Sequence, residues 1–141
     1  MVHALLDTSV VLRHILGEKN ACPKLEKIEK LYASELMRIE ALRAIDRLRI
    51  EHNWSHEEVG LRIRLLTAVS AAIEIIPLQP SILRRASEPF PTIVRTLDAL
   101  HIATAILWKN QINKPLLFLT HDARQGHAAT AVGLETKGFH S

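Results

Sequence analysis

The chain has 141 residues, of which 48% are hydrophobic and 23% charged, a globular composition that excludes a disordered protein. This length predicts a single domain, residues 1–141, with a full hydrophobic core. The 18 Lys and Arg outnumber 15 Asp and Glu, giving a formal charge of +3. That mild excess permits nucleic-acid binding but does not require it.

The sequence gives no sign of export or membrane insertion. No segment approaches the about 18 uninterrupted apolar residues that a membrane-spanning helix needs. The N-terminus lacks the basic region and long apolar run of a signal peptide. The single cysteine, Cys22, excludes an internal disulfide framework and fits a reducing compartment. We therefore expect a cytoplasmic protein with no membrane partner.

Short apolar runs alternate with helical periodicity along the whole chain. In chain order, the pattern predicts a strand at 2–6, a helix at 10–16, a charged amphipathic stretch at 24–32, helices at 35–51 and 55–70, a strand at 72–76, a short helix at 80–87, a helix from 92 or 95 to 110, a strand at 116–119, a helix at 122–132 and a short strand at 134–136. Thr8 or Ser9 could cap the first helix, and Ser55 with Glu58 forms a capping-box pattern. This alternation predicts an α/β fold with a mostly parallel central sheet between two layers of helices.

Four acidic residues fall where a lone carboxylate is costly to bury. They are Asp7 after the first apolar run, Glu40 beside a helix's apolar stripe, Asp98 in a mostly apolar helix, and Asp122 after another apolar run. Sites in parallel sheets lie at the carboxyl ends of the strands, where Asp7 and Asp122 are predicted. Acids converging there, in a basic chain, suit a divalent metal acting on a phosphate backbone.

Each acid also has a simpler interpretation. Glu40 could pair with Arg43 or Arg47 at the helix surface, although the helical wheel turns it towards the protein body and turns Glu35 to solvent. Asp98 could cap its helix or pair with Arg95, and His101, one turn later, is predicted to be a packed histidine rather than a ligand.

The residues around the last acid leave two roles open. Capping alone would explain Asp122, since Asp is a favoured N-cap. Thr120 could hydrogen-bond a metal-bound water or orient a carboxylate. Elsewhere the chain has no glycine-rich phosphate loop, no zinc pattern and no Ser-His-Asp motif context.

Four segments together resemble PIN-domain proteins, and most closely the VapC-type toxins of prokaryotic toxin–antitoxin pairs. They are Leu-Leu-Asp-Thr-Ser-Val, Ser-Glu-Leu-Met-Arg-Ile-Glu-Ala-Leu-Arg-Ala, Leu-Asp-Ala-Leu-His-Ile-Ala-Thr-Ala and Phe-Leu-Thr-His-Asp-Ala-Arg. The resemblance spans the chain and implies a three-layer α/β/α fold, usually a homodimer. It implies that an Mg²⁺ or Mn²⁺ site formed by Asp7, Glu40, Asp98 and Asp122 cleaves RNA, and that an antitoxin protein inhibits it.

In this hypothesis the metal activates a water that hydrolyses the RNA phosphodiester. Asp7 and Asp98 are the primary ligands, Glu40 a ligand or the base that orients the water, and Asp122 an auxiliary. The surface of residues 35–65 could bind an antitoxin helix or a second copy, or could be ordinary helix packing. Two rival functions remain: a catalytically silent PIN-like module that binds RNA or protein, and a metal-dependent DNA nuclease.

Overall fold

The computed structural model describes residues 2–18 and 25–138. Cys22 and the start of the charged stretch at residue 24 lie outside these residues. These residues form five strands and six helices, in the order β1 His3–Leu6, α1 Thr8–Ile15, β2 Lys30–Ser34, α2 Leu36–Glu51, α3 His56–Ala71, β3 Ile73–Ile76, α4 Pro80–Ala86, α5 Thr96–Ile112, β4 Leu116–Leu119, α6 Ala123–Ala131 and β5 Glu135–Lys137. A 3-10 turn at Leu25–Lys27 precedes β2.

The strands form one parallel sheet in the order β3-β2-β1-β4-β5. β1 lies at its centre, paired with β2 on one side and β4 on the other. β2, the next strand in the chain, pairs with one side of β1, whereas β4 comes much later in the chain and pairs with the other side. This reversal of strand order creates a topological switch point beside β1.

Alternate side chains of the strands point to opposite faces of the sheet, and each face has its own hydrophobic core. On one face, Ala4 and Leu6 pack against α1, α2 and α3. On the other, Leu5 and Phe118 pack against α4, α5 and α6. The predicted three-layer α/β/α architecture is confirmed.

The predicted strands at 2–6, 72–76, 116–119 and 134–136 correspond to β1, β3, β4 and β5. The charged stretch at 24–32 was interpreted without a strand, whereas Lys30–Ser34 forms β2. Ser55 caps α3 as the pattern predicted, because its hydroxyl accepts a hydrogen bond from the Glu58 amide at 3.1 Å; the same hydroxyl also donates to the Glu58 carboxylate at 3.3 Å. None of the described helices has both the length and the apolar character needed to cross a membrane.

Candidate metal centre

The four predicted acids line one cleft of about 260 Å³ at the carboxyl edge of the sheet. Asp7 follows β1, Glu40 projects from α2, Asp98 lies in the first turn of α5, and Asp122 follows β4. These positions belong to four segments that are distant in sequence. The parallel sheet brings them together because β1 and β4 are neighbours and end at the same edge.

Asp7 is the most deeply buried of the acids, at 2% exposure. Its Oδ1 accepts a hydrogen bond from the Ser9 hydroxyl at 2.5 Å and its Oδ2 accepts one from the Thr120 hydroxyl at 2.5 Å. Oδ1 also accepts from the Val10 amide at 3.4 Å, so Asp7 itself caps α1. Burial outweighs these hydrogen bonds and raises the pKa of Asp7 above its usual 3.8.

The expectation that Thr8 or Ser9 caps α1 was therefore wrong. The hydroxyl of Ser9 donates to Asp7 and accepts from the His121 amide at 2.9 Å, so it links the β1 and β4 ends of the site. Thr120 is fully buried, donates to Asp7 and accepts from the Asp122 amide at 3.0 Å. Of the two roles predicted for Thr120, the orientation of a carboxylate is the one that the contacts show.

Glu40 is held by two side chains that act on the same oxygen. Its Oε1 accepts a hydrogen bond from the Thr8 hydroxyl at 2.7 Å and contacts the His101 Nε2 at 2.5 Å. Burial acts to raise the pKa of Glu40, but the hydrogen bond and charge of His101, with the Thr8 hydroxyl, hold it below its usual 4.5. Oε2 takes part in none of these contacts.

The two arginines that could have paired with Glu40 instead pair with other acids of α2, although Arg47 also lines the cleft. Arg43 lies 3.4 Å from Asp46, and Arg47 lies 3.6 Å from Glu51. Glu35 is exposed and accepts a hydrogen bond from the Leu78 amide, outside the cleft. The helical-wheel argument thus placed Glu40 and Glu35 on the correct sides.

His101 is packed, as predicted, at 1% exposure, but its contact with Glu40 was not anticipated. Its Nδ1 is buried and has no hydrogen-bond partner in the described part of the chain. A proton on Nδ1 would leave a buried donor unsatisfied, so the favoured neutral tautomer carries its proton on Nε2. In that tautomer Nε2 donates to Glu40 Oε1.

Asp98 is half-buried and faces other acids. Burial, followed by repulsion from the Asp122 carboxylate, raises the pKa of Asp98 above its usual 3.8. The charge of Arg95 acts in the opposite direction, but within residues 2–18 and 25–138 Asp98 makes no ion pair. The alternative of a simple Arg95 pair is therefore not what the structure shows.

Asp122 is the exposed member of the cluster and does cap α6. Its Oδ1 accepts hydrogen bonds from the amides of Arg124 at 2.9 Å and Gln125 at 3.3 Å. The capping interpretation is correct for this oxygen. Because the side chain also lines the cleft, capping fixes its orientation beside the other acids.

Gln125 is a cleft residue that the sequence reasoning missed. It is 3% exposed. In the orientation that satisfies both ends of its amide, Nε2 donates to Asp7 Oδ2 at 2.7 Å and to Asp98 Oδ1 at 3.2 Å. The available signal was its position three residues after Asp122, in the first turn of a helix that begins at the site.

The donor chemistry of the cleft suits a hard divalent cation. Mg²⁺ and Mn²⁺ favour carboxylate and carbonyl oxygens, and Mg²⁺ keeps several waters, so it needs few protein ligands. Burial raises the pKa of Asp7 and of Asp98 more than the nearby basic groups lower it, and a bound cation would offset that cost of burial. Among the described residues no group of three or more His, Cys, Asp or Glu side chains is arranged so that it could hold a metal ion. His101 and the α6 cap each hold one of the carboxylate oxygens of the cleft.

A family model described as PIN domain matches residues 4–131. Three similar solved structures illustrate the fold. VapBC2 from Rickettsia felis, bound to a DNA fragment from its promoter, has a TM-score of 0.66 and 16% identity, covering 97% of this chain and 98% of that one. A toxin–antitoxin complex from Klebsiella pneumoniae has a TM-score of 0.59 and 19% identity, covering 98% and 96%.

VapBC-1 from nontypeable Haemophilus influenzae has a TM-score of 0.60 and 14% identity, covering 97% of each chain. At these identities the likeness shows a shared fold over nearly the full length of the chains. The comparison with curated protein sequences gave no match.

Proposed function

The chain belongs to the PIN-domain family, and on that premise we propose that it is a metal-dependent endoribonuclease, the toxin of a type II toxin–antitoxin pair. The observation that carries the proposal is the convergence of four carboxylates on one cleft of a chain with a net charge of +3. Acids that repel each other in a partly buried cleft are expensive to maintain unless a cation joins them. A surface that is otherwise positive attracts a phosphate backbone to that cation.

In this proposal Asp7 and Asp98 are the primary ligands of Mg²⁺ or Mn²⁺, and Asp122 is an auxiliary. When bound, the ion would supply the Lewis acidity that lowers the pKa of a water and neutralises charge on the scissile phosphate. The Ser9 hydroxyl donates a hydrogen bond to Asp7 Oδ1 and the Thr120 hydroxyl donates one to Oδ2, so both carboxylate oxygens are held in place. This fixed geometry avoids the reorganisation that a mobile carboxylate would require.

Glu40 has a different part in the proposed reaction. His101 and Thr8 hold its Oε1, so Oε2 is the atom that can face the attacking water and accept its proton. The lowered pKa of Glu40 keeps it ionised at neutral pH, as a base must be. In-line attack on phosphorus would leave a 5′-phosphate and a 3′-hydroxyl.

Basic residues near the cleft would supply affinity for the RNA backbone. Arg47 lines the cleft itself, Arg95 precedes α5, and Arg124 lies at the start of α6. These contacts carry little sequence information, and each one neutralises a phosphate. Binding should therefore weaken steeply with salt.

The toxin assignment is supported by the similar structures, of which two are VapBC structures and one is a toxin–antitoxin complex. The surface formed by α2 and α3 is the proposed binding site for a protein partner. That partner is either an antitoxin or the second copy of a homodimer. Ile39, Ile50 and Leu61 are 58%, 66% and 43% exposed there. Apolar side chains in such numbers on one pair of helices suit a helix-in-groove partner.

The retention of all four acids disfavours the silent binding module, because a module that only binds has no use for mutually repelling buried carboxylates. A DNA nuclease would use the same chemistry, and only the 2′-hydroxyl of the substrate separates the two functions.

The test is cleavage of a total-RNA pool by partner-free protein with Mg²⁺, Mn²⁺ or EDTA. The Asp7→Asn variant and the matched Asp46→Asn control run beside it. Asp46 is the one aspartate of the sequence outside the cluster. We expect cuts at a few sites with either metal, retained in Asp46→Asn and lost in Asp7→Asn and in EDTA.

A DNA oligonucleotide with the sequence of the preferred RNA site separates the substrates. Cutting of the DNA but not the RNA would replace the endoribonuclease with a DNA nuclease. Undiminished cutting by Asp7→Asn would remove the assignment of the site.

A further inference from the structure

Arg47 is the one arginine or lysine of the described residues that lines the cleft. It follows Glu40 by seven positions on α2, and Ala44 lies between them, so the three side chains share one face of the helix. Seven residues correspond to about 10 Å along the helix axis. Glu40 is near the start of α2, at the carboxyl edge of the sheet, and Arg47 therefore extends the cleft by about two helical turns away from the acids.

The contact that Arg47 makes within the protein is a loose one. Its Nε lies 3.6 Å from Glu51 Oε1, and the two side chains are 65% and 54% exposed. This separation is longer than a hydrogen bond, and an exposed pair of this kind adds little to stability. Arg49, by contrast, donates a hydrogen bond from Nε to Asp46 at 2.8 Å. The pair of Arg47 and Glu51 is therefore easily exchanged for another partner.

The position of Arg47 determines what kind of partner can reach it. In the described part of the chain its ion pair is with Glu51 and not with a carboxylate of the cleft, so its charge does not neutralise the acids. A guanidinium carries its donors in a planar fork that matches two oxygens of one phosphate. A nucleic-acid strand whose scissile phosphate lies at the acids must continue out of the cleft, and along α2 it would meet this fork.

We propose that Arg47 is a substrate-binding residue that exchanges Glu51 for a phosphate of the RNA strand beside the scissile one. The inference rests on the proposed function for the identity of the strand. Because the contact is to a neighbouring phosphate, it is made equally in the bound substrate and in the transition state. Arg47 therefore lowers KM and leaves kcat unchanged. Glu51 competes with the phosphate for the guanidinium and weakens binding of the RNA.

The first test compares Arg47→Gln with Arg43→Gln on an RNA oligonucleotide that carries one of the sites cut in the total-RNA pool. Each variant removes one charge and one exposed pair from α2, but Arg43 does not line the cleft. We expect Arg47→Gln to raise KM roughly tenfold with kcat within about twofold. Arg43→Gln should raise KM less than about threefold.

The salt dependence separates a phosphate contact from a general change in charge. Loss of one contact to a single strand should reduce the slope of log KM against log salt concentration by about 0.7 in Arg47→Gln. Arg43→Gln should keep the wild-type slope. Equal KM values and equal slopes for the two variants would overturn the proposal, because the effect would then come from the net charge of α2.

The second test removes the competing acid. Glu51→Gln should lower KM about two- to threefold, since the guanidinium no longer has a partner to leave. Glu74→Gln is the matched control, because it adds the same charge and breaks an exposed pair, with Lys30 at 3.4 Å, outside the cleft. Once Arg47→Gln is present, Glu51→Gln should have no further effect. A gain that persists in this double variant would refute the exchange.

Binding of a short fluorescein-labelled RNA of mixed sequence in EDTA distinguishes a failure of this inference from a failure of the proposed function, because it needs no cleavage. A protein that cuts no RNA but binds this strand at least about threefold more weakly as Arg47→Gln than as Arg43→Gln would keep the inference and remove the endoribonuclease. A protein that cuts RNA with the same KM in wild type and Arg47→Gln would do the reverse. A wild-type protein that neither cuts nor binds RNA would refute both.

Discussion

Two groups of acids in this protein have opposite surroundings. On the outer surface of α2, Asp46 is 39% exposed at its side chain and lies 3.4 Å from Arg43 and 2.8 Å from Arg49. In the cleft, Asp7 is 2% exposed and is bonded to hydroxyls and an amide, with no arginine or lysine ion pair among the described residues. Surface acids of the first kind contribute to solubility, and their ion pairs add little to the free energy of unfolding. Buried acids of the second kind are costly to the fold, and the proposed cation would offset that cost.

The largest expected difference between the two groups is in cleavage. Asp98→Asn removes the charge of a proposed metal ligand and should lower the rate of RNA cleavage by at least about 100-fold. Substitution of a residue that only supports a metal ligand typically lowers activity by up to about 100-fold, and loss of a ligand should cost no less. Asp46→Asn should leave the rate within about twofold, since an exposed pair is worth little. The measurement is single-turnover cleavage at saturating Mn²⁺. Equal rates for the two variants would remove the distinction between cleft and surface acids.

A second prediction concerns His101, which acts through Glu40. His101→Leu removes the donor to Glu40 Oε1 and should lower kcat roughly 10- to 100-fold with little change in KM. His101→Gln can place an amide donor in the same space and should recover part of the loss. A His101→Gln protein as impaired as His101→Leu, with both folded, would show that the histidine matters only for packing.

A third prediction is that Asp7→Asn stabilises the metal-free protein at neutral pH while abolishing its activity. The substitution removes a buried charge whose pKa the fold raises, and its amide can still use the Thr120 and Ser9 hydroxyls. A gain of 1 kcal/mol corresponds to an increase in Tm of about 4 °C for a domain of this size. The measurement is thermal unfolding in EDTA, with Asp46→Asn as the control that should not gain.

The sign of the pH dependence follows from the raised pKa of Asp7. The folded protein holds the proton more tightly than the unfolded chain, so its stability falls as the pH rises through the ordinary value of 3.8 towards the raised one. The advantage of Asp7→Asn should therefore be present at pH 7 and shrink as the pH falls towards 3.8. An advantage that grew on acidification would contradict burial as the cause.

The smallest expected effect is on the α2 surface. Asp46→Ala removes both arginine contacts and should cost less than about 1 kcal/mol, because the pairs are largely exposed. Urea unfolding at low and at high salt measures it, and the cost should shrink with salt. A loss comparable to that of a core substitution would mean that the surface pairs support the fold.

Much of the fold could be predicted because the strands flanking the site are continuous apolar runs. β4 lies at the predicted residues, and β1 differs by one residue. β2 was missed because Lys30 and Leu31 begin it with an exposed and a half-buried side chain, after a charged segment. Only its last three residues are buried, too few for a period of two to be visible.

The acids of the site could be chosen from sequence because a carboxylate in an apolar context is locally conspicuous. The residues that hydrogen-bond to these acids could not be predicted, since hydrogen bonds between distant parts of the chain leave no periodic pattern in the sequence. Glu40 and His101 are 61 residues apart, and Asp7 and Thr120 are 113 apart. Gln125 is polar and lies in the first turn of a helix, which is ordinary for a solvent-facing residue, whereas in the fold it is buried against Asp7 and Asp98.

The placement of β1 between β2 and β4 also bears on when activity can arise during synthesis. The Asp7 amide donates to the Leu119 carbonyl at 3.1 Å, and the Asp7 carboxylate depends on Thr120. Both partners leave the ribosome long after Asp7 does. A growing chain that has not yet emerged beyond residue 122 has neither the central strand pairing nor the fourth acid. The proposed nuclease therefore cannot attack RNA until residues 119–122 have been made and have left the ribosome.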